Sequence, residues 1–312
     1  MSKLICAEFD EFEEALYGVQ GHYLLRSRQQ RDWRLRVVDL NGVALMLGRE
    51  GAGTLYSGVG LPEFFNIFLP VSGRETTVVD GQRFDHRRIG WMVPDVMFHI
   101  DASRPATWLT VAMSCDLVLR WAGIHEDEFD FSILARNLVG VAQMDVTPLV
   151  WLAHRLFHID EHSPEDLHNP VAEHAARTEL MDMVFHTLLP LDVSNPTVRH
   201  CLDHRRILRE ALELLASLEE APVYLEDLCA ATHASERTVR TVFNRYLGMS
   251  PHRYLMLYRL HAIRSAIRRA QPGETITSIC ARYGVWDFGR LARQYMSYFG
   301  ELPSQALASR PR

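Results

Sequence analysis

The sequence predicts an α+β fold in two parts, an N-terminal antiparallel barrel or sandwich followed by an all-helical C-terminal region. Three observations carry that reading. Between about Arg34 and Met113 the chain is a succession of short apolar runs broken by Gly, Pro and Asp, such as FFNIFLPVSG, TTVVDGQRF and WLTVAM, and evenly spaced runs of that kind are strands. From Arg205 onward apolar residues recur at helical spacing, and one pattern occurs twice, as LEDLCAATHASERTVRTVF (225–243) and ITSICARYGVWDFGRLARQY (276–295). Charge is divided along the same line. The chain carries 33 basic and 39 acidic residues, net −6, yet residues 205–312 hold 16 Arg against 10 acidic residues, which leaves 17 basic and 29 acidic residues for the remainder.

Taken in order, residues 8–17 (EFDEFEEALY) read as a short helix with Phe9, Phe12 and Leu16 on one side. The strand region follows, and Val79-Asp80-Gly81-Gln82 has the residues of a tight hairpin turn. Residues 145–189 return to helical periodicity through TPLVWLAHRLFHI and VAEHAARTELMDMVFHTLL. Pro190–Pro196 is the expected linker. At 312 residues the chain suits two domains better than one core.

Each copy of the C-terminal repeat offers a short helix (Leu225, Leu228, Cys229; Ile276, Ile279, Cys280), a tight turn, and a second helix. That second helix carries outward arginines (Arg237, Arg240; Arg290, Arg293) and an aromatic anchor, Phe243 or Tyr295. This is the pattern of a helix-turn-helix, whose second helix fits the major groove of DNA. Ser235 and Asp287 are N-cap residues, and Gly284 sits at a turn. Gly248 and Gly300 close their helices, and Ser250-Pro251 opens a long helix that stops at Pro272-Gly273. At ~1.5 Å per residue that rod is about 28 Å long, and recognition helices one duplex turn apart need ~34 Å. Leu257 and Ile267 are expected inside it and Arg264 outside. Arginine grips guanine bidentately and threonine meets a thymine methyl or a phosphate. Lys3 is the only lysine, so the placement of the arginines says more than their identity.

On these residues the chain resembles the AraC/XylS transcriptional regulators, over about Arg205–Leu307. The most specific stretches are LGMSPHRYLMLYRL (247–260) and YGVWDFGRLARQYMSYFGELPS (283–304), with Val285 and Tyr295 where that family usually has Phe. The N-terminal half is loosely similar to the sensor domains of the ethanolamine-type regulators, which implies a cupin-like β-barrel. The resemblance places base-facing residues at Arg237, Arg240, Thr241, Gly289, Arg290 and Arg293, and implies activation more often than repression.

Composition excludes several classes. No apolar run reaches membrane-spanning length, and the acidic, amphipathic N-terminus is unlike a signal peptide. Cys6, Cys115, Cys201, Cys229 and Cys280 are odd in number and scattered, which points to reduced thiols in a cytoplasmic protein rather than disulfides or a zinc finger. Eight of 15 histidines lie between 154 and 204, with His154, His158 and His162 one helical turn apart. Two such histidines can chelate zinc, but the polar face of an amphipathic helix explains them equally. The barrel offers His86 and His99 with no H-x-H, and the chain has no G-x-S-x-G, P-loop or GxGxxG. No catalytic residue, cofactor or metal is therefore expected. A small barrel can hold one ligand, and Phe65, Phe68, Trp91, Phe98 and Trp108 are the candidate effector-binding residues, each equally readable as core. Trp286 receives no role.

The sequence thus predicts a sensing and dimerisation domain (1–195), a linker (196–204) and a double helix-turn-helix domain (205–312). The expected function is sequence-specific DNA-binding transcriptional regulation by a homodimer, controlled by a small-molecule effector. Its partners are an operator duplex and, for an activator, RNA polymerase; no membrane is involved. Effector binding either frees the DNA-binding domains or re-spaces them on two half-sites. The helix at 171–189 presents Val171, Ala175, Met181, Val184 and Leu188 as a dimer surface, or packs them on its own barrel. A regulator gated by metal or by a protein partner, and a metal-dependent cupin-type enzyme fused to a DNA-binding module, are the alternatives.

Overall fold

The computed structural model describes residues 3–6, 8–30, 32–84, 88–124, 139–141, 145–188, 198–218 and 221–309. His86 and the expected linker at 190–196 lie outside the described residues. The chain divides into two compact units, Met1–Tyr23 with Gln30–Ser194, and Leu24–Gln29 with Asn195–Arg312.

The first unit is built on two antiparallel sheets. The larger has strand order β1 (Lys3–Cys6), β3 (Trp33–Asp39), β4 (Val43–Arg49), β11 (Thr107–Ser114), β6 (Phe64–Ser72), β9 (Arg88–Met92) and β12 (Val139–Val141). The smaller runs β2 (Val19–Leu25), β5 (Thr54–Gly60), β10 (Met97–Ala102), β7 (Thr77–Val79) and β8 (Gln82–Arg83). Among the described residues no strand ladder joins the two sheets, so of the expected barrel or sandwich the chain forms the open, cupin-like sandwich. The hairpin at 79–82 is present: Val79 pairs with Gln82, and Asp80 and Gly81 take φ of 47° and 78°, the two left-handed residues of a type I′ turn.

The outer face of the larger sheet is covered by helices. Val38, Leu45, Phe65, Ile67, Trp91, Leu109 and Val111 share one core with α2 (Cys115–Ile124), α3 (Thr147–His162) and α5 (Pro170–Leu188). The alternate residues of the same strands, such as Met46, Phe68, Trp108 and Thr110, turn to the space between the sheets. Strands buried on both faces have no polar face to show, which is why β4, β6 and β11 read as unbroken apolar runs. Helix α1 (Phe9–Glu14) buries Phe9 and Phe12 as expected. Strands β1 and β2 on either side of it, strand β12 and helix α2 escaped the sequence reading. The helical stretch after 145 is interrupted by Pro164, which opens the short α4 (Pro164–His168), and by Pro170, which opens α5. On α5 the proposed dimer face is split: Val171 and Ala175 are exposed, whereas Met181, Val184 and Leu188 belong to the unit's own core.

The helical part of the second unit runs α6 (Val198–Ser217), α7 (Leu225–Thr232), α8 (Glu236–Tyr246), α9 (Pro251–Arg268), α10 (Ile276–Arg282), α11 (Phe288–Phe299) and α12 (Pro303–Ala308). Residues 198–204 of the expected linker are helical, part of an α6 whose Ile207, Leu208, Ala211 and Leu215 are buried. Leu228 and Ile279 anchor the first helices of the two repeats, and Phe243 and Tyr295 the second, all four at 0% exposure. Each such apolar side chain contributes about 1.5–3 kcal/mol.

Candidate functional site

Two regions carry chemistry, one in each unit. In the C-terminal unit the two recognition helices are fixed at both ends. Ser235 Oγ accepts the N–H of Thr238, and Asp287 Oδ1 accepts the N–H of Arg290 at 2.9 Å. Gly300 ends α11 in the left-handed region (φ 76°). Helix α9 starts as predicted, with Ser250 as N-cap and Pro251 at the first position, and its Leu257 and Ile267 are fully buried. Each recognition helix is tied to that rod through rings. Phe243 meets Tyr254 at 5.4 Å near its start, and Phe299 meets His261 at 5.1 Å further along.

Arg264 differs from expectation. It is 2% exposed, with its guanidinium 4.9 Å from the centre of the Phe299 ring. The helical face of Arg264 is the one that receives α11, so its charge is used in packing through a cation–π contact.

The predicted base-facing residues Arg237, Arg240, Thr241, Gly289, Arg290 and Arg293 are all exposed on their helices. The two sets are not equivalent, however. The caps and anchors match Ser235 with Asp287, Val239 with Leu291 and Phe243 with Tyr295. On that register Arg237 stands at the position of Gly289, Thr238 at that of Arg290, and Thr241 at that of Arg293. Arg240 has Ala292 as its counterpart, so the arginine pairs that look alike in sequence are offset by one residue, about 100° around the helix. Arg240 also has a local partner, as its Nε and Nη2 lie 2.8 and 2.5 Å from Glu236 Oε1. Between the two repeats is an open groove of about 590 Å³ whose lining includes Arg240, His252, Arg259, Trp286 and Arg290. Trp286, given no role from sequence, is 74% exposed there.

In the N-terminal unit a small cavity of about 30 Å³ lies between the sheets. Phe68, Phe98 and Trp108 line it, together with Tyr23, Tyr56, Asn66 and Thr110. Phe65 and Trp91 point the other way. Phe65 stacks toward Phe185 of α5 at 6.5 Å, and Trp91 lies in the helix-covered core. Strand alternation divides the five aromatics, so one cavity takes three of them.

The polar centre of this region is Glu50, just after β4 and 5% exposed. Thr54 Oγ1 donates to its Oε2 at 2.7 Å, Trp108 Nε1 donates to its Oε1 at 3.1 Å, and the Tyr23 hydroxyl is a third donor. Trp108 reaches it because Gly48, its cross-strand partner, has no side chain; a Cβ there would stand 2.2 Å from the indole. Burial raises the Glu50 carboxyl to about 7, and the three hydrogen bonds offset only part of that rise. Sequence reasoning missed Glu50, since a single acid before Gly51 reads as a turn residue. His154, His158 and His162 line an exposed face of α3, where the rings of His158 and His162 lie 4.1 Å apart. Among the described residues no three His, Cys, Asp or Glu side chains gather as a metal site.

Comparison with known proteins bears mainly on the C-terminal unit. Residues 228–309 match the family model of a helix-turn-helix domain. A stretch of 106 residues is 31% identical to the probable thc operon regulatory protein of Rhodococcus erythropolis, covering 34% of this chain and 32% of that protein. The XylDLEGF operon transcriptional activator 2 of Pseudomonas putida is 26% identical over 139 residues, 44% of this chain and 85% of its own. Among solved structures, the AraC-like transcriptional activator CuxR aligns over 88% of this chain and 96% of its own, at 14% identity and a TM-score of 0.39. The chain thus spans about a third of the Rhodococcus relative's length. No helix of the described residues is long and apolar enough to cross a membrane. By the family match and the paired, capped repeats on one rod, residues 228–309 of the C-terminal unit are a helix-turn-helix domain, as the repeated pattern in the sequence predicts.

Proposed function

We propose that the chain is a cytoplasmic, sequence-specific transcriptional regulator, an activator that works as a homodimer and engages RNA polymerase. In this reading a sensing domain (1–195) takes a small-molecule effector between its sheets, and a DNA-binding domain (205–312) reads an operator with α8 and α11. The observation that carries it is the pair of recognition helices, each N-capped, each anchored by a ring to the same 18-residue rod, and each presenting exposed arginine. A basic helical module on an acidic body supports the same reading, because phosphate contact needs local positive charge. Relatives that carry the domain are named as operon regulators and activators, which favours regulation over catalysis.

The test is binding of the full chain to an operator selected from random duplexes, measured by fluorescence anisotropy. Arg293→Ala and Arg237→Ala should each cost about 1–3 kcal/mol on the selected site and relax preference at one base pair. Affinity should fall steeply with salt as counterions are released. Equal losses on selected and random DNA for every arginine would overturn base reading.

A further inference from the structure

The cavity between the sheets has a chemical bias that an effector site in general does not require. Among the described residues its lining contains Glu50 but no Lys, Arg or His. The three groups that hydrogen-bond the Glu50 carboxylate, from Thr54, Trp108 and Tyr23, are all uncharged. A carboxylate offers about four acceptor positions, so these donors leave one open. Two more buried polar atoms on the lining have no partner. Asn66 is 1% exposed and spends its Nδ2 on the Gly18 carbonyl at 2.9 Å, leaving Oδ1 unused. Thr110 is 6% exposed, and its Oγ1 is likewise unpartnered. Around these acceptors stand aromatic rings, among them Tyr23 and Tyr56 with centres 4.7 Å apart, and Tyr56 and Phe98 at 5.8 Å. Two buried acceptors without a donor, beside a carboxylate that has one acceptor position open and no counter-ion among the described lining residues, suit a cation.

We propose, on the reading that this cavity is the effector site, that it binds a small organic monocation, a primary ammonium held by Glu50, Asn66 and Thr110 against the Tyr23, Tyr56 and Trp108 rings. An –NH₃⁺ group has three donors and no acceptor, which matches three acceptors. Ring faces attract a desolvated cation. An anion would meet the carboxylate, and a neutral apolar ligand would leave all three acceptors unpaired. The free space of 30 Å³ is about the volume one water occupies in the liquid. It admits the ammonium head, so the ligand is small. A longer chain must displace side chains at the outer end, which Leu16 and the 40%-exposed Tyr17 line.

The test is calorimetric titration of the full chain with methylammonium and n-propylammonium chloride. Tetramethylammonium serves as a cation without donors, and butyrate and butanol as anionic and neutral probes. The expected result is saturable binding of the primary amines, weakened at least about tenfold by Glu50→Gln and less by Thr110→Val. Because binding needs the ionised carboxylate, amine affinity should also fall about tenfold from pH ~8 to ~6. Tyr23 and Tyr56, pushed up by burial, stay neutral over that range. Glu13 faces these tyrosines and is hydrogen-bonded to His22 and to the Tyr23 N–H; it remains in place in both proteins. Equal amine affinity in Glu50→Gln, or tetramethylammonium binding as well as the primary amines, would overturn the assignment. If butyrate or butanol binds instead, and amines do not, the cavity is an effector site of another class and only this inference falls. If none of the probes binds, the amine assignment fails and the effector reading of the cavity fails with it.

Discussion

Replacing Glu50 by glutamine should stabilise the N-terminal unit at neutral and alkaline pH while changing little in acid. The carboxyl titrates at about 7 in the folded chain, against an ordinary value of 4.5. Below 4.5 the group is neutral in both states, and its contribution to stability is fully present. As pH rises from there the unfolded chain releases a proton that the folded chain retains, so stability falls by about 1.4 kcal/mol per pH unit until the folded group ionises near 7. The accumulated loss is about 3 kcal/mol by pH ~8. Glutamine keeps an acceptor for Trp108 and an amide that the Thr54 hydroxyl can accept from, but has no charge to bury, so the variant should show no such loss. Urea unfolding followed by tryptophan fluorescence at pH ~5 and ~8 measures the difference. Other groups, including His22, which Glu13 pulls upward, titrate alike in both proteins and cancel. A wild type whose stability relative to Glu50→Gln is the same at both pH values, within about 1 kcal/mol, would refute the account of Glu50 as a desolvated carboxyl.

Other substitutions probe the C-terminal unit. Arg264→Gly should cost about 3 kcal/mol in urea unfolding, since a buried cation–π contact and stem packing are lost on top of the ~1 kcal/mol of helix propensity; a cost near 1 kcal/mol would mean that the guanidinium is solvated. Asp287→Ala removes the cap of α11 and should cost about 1 kcal/mol of stability, with Asn restoring most of it; an unchanged midpoint would show that the Arg290 N–H finds another acceptor. Inserting two residues at the exposed Ser265 rotates the second repeat by about 200° relative to the first. Operator affinity should then drop to the random-duplex level while the N-terminal unit still unfolds normally, and near-normal operator binding would show that the two repeats read DNA separately.

The sequence by itself determined what is local. The caps Ser235, Ser250 and Asp287, the Pro251 start, the 79–82 hairpin and the α1 apolar face are written in neighbouring residues, because caps, turns and helix faces depend on spacings of four residues or fewer. The double helix-turn-helix was legible for the same reason, each repeat being a short run of such signals. Where two distant segments meet was decided by tertiary structure. Phe65 and Phe68 look alike in sequence, yet pleat parity sends one to the helices and the other to the cavity. The sheets form an open sandwich because among the described residues no ladder joins the edge strands of one to those of the other, and helix α2 could not be told from the strands beside it on apolar content alone. Arg264 looked solvated on a helix read in isolation; the ring of Phe299, brought in by α11, is what buries it. Glu50 is the clearest case. Thr54 is four residues away, but the chemistry of Glu50 also depends on Tyr23 and Trp108 from two distant parts of the chain, and desolvation is a property of what surrounds a group, which no local spacing encodes.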